Sequence, residues 1–203
     1  MKADEVYRTL RQQLEPDFQA LGFKRMRASR LIFRRQVGGY YHHVWCQCDR
    51  WGWDSFAGSS FFVSFSVSAA PEPEQPDRRE ERLNYFLTDV ELEEARALRD
   101  RIVARIPRPP EGYFAQFEAQ ARRYPDCAAM LDAMRAQFEP ARLPYRRLQD
   151  FGLRYFQPGD LAEWAAFIAP VLPRATEAME QWAPSGAAPG RAQVRAHATP
   201  PLF

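Results

Sequence analysis

The sequence has little cysteine: Cys46, Cys48 and Cys127 are all there is in 203 residues. Three thiols are too few and too odd for a disulfide framework, and a reducing cytoplasm is the expected compartment. Long apolar runs are missing too. The longest, Trp164 to Leu172, is nine residues and contains Pro170, whereas a membrane-spanning helix needs about 20. No membrane partner is expected. The opening MKADEVYRTL lacks the apolar stretch of a signal peptide. Lysine is nearly absent, 2 against 26 arginines, with 1 asparagine and 4 isoleucines. Lys, Asn and Ile share A/T-rich codons, so the skew reads as a G+C-rich genome and not as a function. Missing as well are the Gly-x-Ser-x-Gly elbow, His-Glu-x-x-His, the phosphate loop and Gly-x-Gly-x-x-Gly. No catalytic residue, metal ligand or cofactor is therefore assigned.

What is present is the makings of a core. The composition is 46% hydrophobic and 14% aromatic, and a chain of this length buries roughly 70% of its unfolded surface. The net charge of +2 gives no reason to expect a polyanion partner. Its placement is uneven, however. Phe18 to Cys48 carries six basic residues and no acid, while Glu72 to Glu94 carries nine acids against three arginines. The two blocks are expected to face and cancel each other.

Apolar spacing places a helix over residues 4–21 through Val6, Leu10, Leu14 and Phe18, bent or restarted at Pro16 and ended by Gly22. Two-residue alternation gives strands near Leu31–Arg35, Tyr40–Trp51 and Ser60–Ser68, with a hairpin turn at Gly38-Gly39. Thr88 and Glu91 form a capping box ahead of a helix running to Pro107. Shorter helices are expected near Tyr113–Arg123 and Asp126–Phe138, and a fourth strand within Asp150–Phe156. A last helix, from Asp160 to Trp182, is kinked by Pro170 and Pro173. The expected fold is α+β: an antiparallel three- to four-stranded meander with helices packed mainly on one face. Residues 1–183 form the single domain and 184–203, rich in Ala, Pro, Gly and Arg, a disordered tail.

Leu21-Gly22-Phe23-Lys24, Phe33-Arg34-Arg35, the strand ending in Gln47, and Leu153-Arg154-Tyr155-Phe156 with Asp160-Leu161 and Trp164 together resemble an uncharacterised bacterial domain family. The resemblance spans roughly Glu5 to Gln181. It implies the same fold order, a helix, a Gly-Phe turn, a meander and a closing helical half, and implies no activity.

The densest chemistry is His42-His43-Val44-Trp45-Cys46-Gln47-Cys48-Asp49. On a strand, His42, Cys46 and Cys48 share one side. Same-side neighbours stand about 7 Å apart, too far to converge on one zinc without a bulge, and buried packing is the simpler reading. An enzyme or metal protein using these three residues stays as an alternative. The aromatic run that follows has the composition of an interface, because Trp, Tyr and Arg dominate binding hot spots. Arg30, Arg34, Tyr41, His43, Gln47, Arg50, Trp51 and Trp53 are the expected interaction surface. The expected function is a non-enzymatic, accessory or immunity-type domain that binds another protein. Single-stranded nucleic acid, stacked on the aromatics, is the second choice, since near-zero net charge favours protein.

Overall fold

A computed structural model describes residues 1–49, 58–75, 78–107, 112–124, 128, 131–132, 135 and 152–182. Helix α1 (Ala3–Ala20) opens the fold, and Val6, Leu10, Leu14 and Phe18 are its buried stripe. It runs unbroken through Pro16, where a bend or restart was expected. Pro16 is exposed, as is Gln12 one turn before it. The carbonyl that loses its N–H partner therefore faces water, and burial of Leu14 and Phe18 on either side keeps the helix whole. Gly22, at φ 80°, takes the left-handed conformation that ends it.

The sheet is antiparallel and six-stranded, two short strands more than expected. β1 (Lys24–Arg25), β2 (Leu31–Val37), β3 (Tyr40–Cys48), β4 (Ser59–Ser68) and β5 (Arg79–Arg82) lie in that order. β6 (Leu153–Tyr155) also pairs with β4. β5 covers Ser64 to Val67 and β6 covers Ser59 to Phe61, so two distant segments share β4 end to end. β5 reads Arg-Glu-Glu-Arg and has no apolar residue; pairing with β4 makes it a strand, not its own pattern.

Thr88 caps α2 (Asp89–Arg105) through the expected reciprocal box with Glu91. α3 (Ala115–Arg123) follows. The closing helix is two: α4 (Pro158–Ile168) and α5 (Leu172–Trp182), joined by a 3-10 turn over Ala169–Val171. Pro170 and Pro173 impose that break, as their spacing predicts. The helix expected over Asp126–Phe138 falls largely, and the tail over 184–203 entirely, outside the described residues.

One sheet face carries Leu31, Phe33, Val44, Cys46, Phe61, Val63 and Phe65, which join the apolar stripes of α1, α2, α4 and α5 in a single core. Phe18 stacks on Phe33 at 4.2 Å between ring centres. Trp164 of α4 is fully buried and donates its indole N–H to the Arg154 carbonyl at 2.6 Å. Each such large side chain contributes about 2–3 kcal/mol by leaving water. The opposite face holds Ile32, Trp45, Ser64, Ser66 and Ser68, all buried. No helix among the described residues is long and apolar enough to cross a membrane.

Candidate functional site

The expected surface disperses once the strands pair. Register puts His43 opposite Arg34 on β2 and Ser66 on β4, on the sheet face away from the helices. There His43 is fully buried and shares the Pro71 carbonyl with Arg34, through Nε2 at 2.9 Å and Nη1 at 3.1 Å. Burial holds its ring below the usual histidine range, with the Arg34 charge acting the same way and the Pro71 bond opposing. His43 is thus a structural tie and not a surface contact, which corrects the sequence reading. Arg34 also lies 5.4 Å from the centre of the Tyr41 ring, and Arg30 pairs with Glu74. Together Arg30, Arg34 and His43 strap residues 70–75 across the sheet. Tyr41 is half-buried and Gln47 exposed. Arg50, Trp51 and Trp53 lie outside the described residues.

The His42, Cys46 and Cys48 side faces the helices, as alternation requires. Cys46 is buried and its thiol pushed up to about 12, chiefly by loss of water. Cys48 is raised as well, by burial, against the lowering effect of contacts with Tyr7 and Tyr155. The Cys48 backbone N–H donates to the Tyr7 hydroxyl at 3.2 Å, and burial lifts both tyrosines to about 12. A nucleophilic cysteine needs the opposite, a depressed pKa and an exposed thiolate. Both thiols are free. Among the described residues no group of three or more His, Cys, Asp or Glu could hold a metal ion.

The structure instead assembles a site that the sequence left scattered. Arg79 begins β5, Tyr85 and Phe86 lie in and just beyond the 3-10 turn after it, and Trp182 ends α5. The Phe86 and Trp182 rings stack at 5.5 Å, and Tyr85 meets both edge-on at 5.2 and 5.9 Å. The Arg79 guanidinium stands 4.5 Å over the Trp182 ring and donates to the Tyr85 hydroxyl at 3.3 Å. Phe86 anchors the group by packing at 4.7 Å on buried Phe65. Tyr85 is 52% exposed and Arg79 is exposed. The result is a platform of one exposed and one partly exposed aromatic ring, Tyr85 and Trp182, with a cation held against both. Its only trace in sequence is the Tyr-Phe pair just ahead of the Thr88 cap.

A groove of about 420 Å³ between α2 and α4 has Leu98 and Phe167 in its lining with Glu94, Arg101 and Glu163 around them. Its lining holds no Ser, Thr, Cys, His or Lys side chain. A scan against protein-family models finds no match, and searches of the curated proteins and of the solved structures return none.

Proposed function

We propose that this chain is a non-enzymatic binding domain for another protein, working in the cytoplasm and receiving an acidic residue of its partner on Arg79. The observation that carries this reading is the Arg79–Tyr85–Trp182 platform. Tyr, Trp and Arg are the residues that interface hot spots use. Here their rotamers are already held by stacking, so binding loses little further side-chain entropy. Arg79 is exposed and donates to Tyr85 from one guanidinium nitrogen, and a guanidinium's fork of donors suits a carboxylate. The free thiols of Cys46 and Cys48 support a reducing compartment.

A photo-crosslinking residue in place of Tyr85, expressed in the native host, tests the proposal. One protein species should be captured from position 85 and none from Gln13, on the exposed side of α1. Arg79→Glu should reduce capture at least tenfold while the far-UV spectrum stays unchanged. Equal capture from both positions, or capture indifferent to Arg79→Glu, would overturn it. Trp51→Ala with Trp53→Ala, tried on the same partner, shows whether residues 50–53 join the interface; weaker binding is expected.

A further inference from the structure

Besides its apolar stripe, α5 is reached from the sheet by two arginines that lie at the ends of one row. Arg35 of β2 stands opposite His42 of β3, His42 opposite Val67 of β4, and Val67 opposite Arg79 of β5. Residues opposite one another share a face, so the row runs beneath α5 from one side of the sheet to the other. An arginine grips the helix at each end. Arg35 donates to Glu180 at 2.7 Å and to the Thr176 carbonyl at 3.4 Å, and reaches the Leu21 carbonyl at 3.2 Å. Arg79 covers Trp182.

His42 is buried next to the first grip, with Nδ1 3.5 Å from the Arg35 guanidinium. Arginine can only donate, so Nδ1 keeps its lone pair and the neutral ring carries its proton on Nε2. Three buried atoms of this cluster, Arg35 Nε, His42 Nε2 and Thr176 Oγ1, have no hydrogen-bond partner. Under-satisfied polar clusters in low dielectric are sensitive to any added charge. The charged groups facing His42 are Arg35 from β2 and Glu180 from α5; the next residue, His43, lies on the opposite face and acts on it only weakly, in the same direction as Arg35, and Val67 from β4 adds none. Glu180 is already engaged by Arg35, so a second cation arrives without a second anion.

We infer that His42 is the sensor of an acid-operated latch: protonating its ring frees the C-terminal turns of α5 from Arg35 and takes apart the Arg79–Tyr85–Trp182 platform. Only the consequence for binding rests on the proposed function; the latch is a property of the fold. Burial, reinforced by the Arg35 charge and opposed by Glu180, pushes the His42 pKa down to about 4, which sets where the latch opens.

Indole N–H resonances of the full chain, labelled with nitrogen-15 and titrated from pH 7 to 3.5, test this. Trp182 is assigned by its loss in Trp182→Phe. Its resonance should move to the position of a solvated indole with a midpoint near pH 4, while that of Trp164 stays in place. His42→Gln should hold Trp182 fixed down to pH 3.5, and Glu180→Gln should leave a transition in place. Joint movement of Trp164 and Trp182 means global unfolding and overturns the latch. So does a transition that survives His42→Gln and vanishes in Glu180→Gln. If His42→Gln does not fold, the His42 ring resonance of the unaltered chain replaces it: a titration that fails to coincide with the Trp182 transition overturns the proposal. A working latch with no crosslinked partner at pH 7 would mean that the binding reading alone had failed.

Discussion

Gly58 holds its place by having no side chain. Its φ is +67°, and a Cβ there would run into the Tyr155 carbonyl oxygen and approach Phe156 Cα to 3.2 Å. Backbone meets backbone, so nothing can swing aside. Gly58→Ala should cost about 2 kcal/mol or more, read from the urea midpoint, since positive φ and a steric clash add. His42 makes the stability depend on pH. Its unfolded pKa is the ordinary 6.5 and its folded one about 4, so between these values the unfolded chain binds a proton that the folded chain refuses. Stability is fully present above about pH 6.5 and falls as pH drops toward 4, by on the order of 3 kcal/mol from this residue. His43, shifted in the same direction, adds to the loss. Unfolding titrations at pH 7 and pH 4 should show the fall, and His42→Gln should shrink it.

At the scale of elements, two helix starts carry different weights. Thr88 caps α2 at the surface, its hydroxyl accepting from the Glu91 N–H at 3.3 Å. Asp160 is 1% exposed and accepts from the Phe156 N–H at 2.7 Å, the Gln157 N–H at 2.9 Å and Arg105 at 2.8 Å. Thr88→Ala should cost about 1 kcal/mol. Asp160→Ala strands two backbone donors at the junction of β6 and α4 and should cost about 2–3 kcal/mol. Differential scanning of the two variants gives the order. The Thr88–Glu91 cap was readable in sequence, because capping is a local device with a fixed spacing. The last helix was expected to open at Asp160, whereas it opens at Pro158 and Asp160 reaches back from its first turn to the Gln157 N–H. β1 and β5 were not readable: a two-residue strand and Arg-Glu-Glu-Arg have no period, and each exists only because a longer neighbour supplies hydrogen-bond partners.

Across the whole molecule, the expected meeting of the basic and acidic blocks is realised at the strap, where Arg30 of one pairs with Glu74 of the other. Elsewhere the acids find other arginines: Glu80 pairs with Arg78, Glu93 with Arg96, and Glu91 with Arg174 of the distant α5. Glu74 is largely exposed, so its pair is worth little; Arg30→Ala should change stability by less than about 1 kcal/mol. The strap itself rests on Arg34 and His43, which share one carbonyl inside the protein.

The helical stripes, the three long strands, the proline break between α4 and α5 and the α+β class follow from the sequence by itself, because each depends on periods and caps that neighbours in the chain express. Which polar residues would face water did not. His43 and the serines of β4 alternate like a solvated face and are nonetheless buried, since burial depends on what the chain later lays over them. The platform of Arg79, Tyr85, Phe86 and Trp182 spans about a hundred residues of sequence. Only the pairing of β5 with β4 and the docking of α5 across the row from Arg35 to Arg79 bring it together, because contacts between distant segments are set by tertiary packing and leave no local spacing to read.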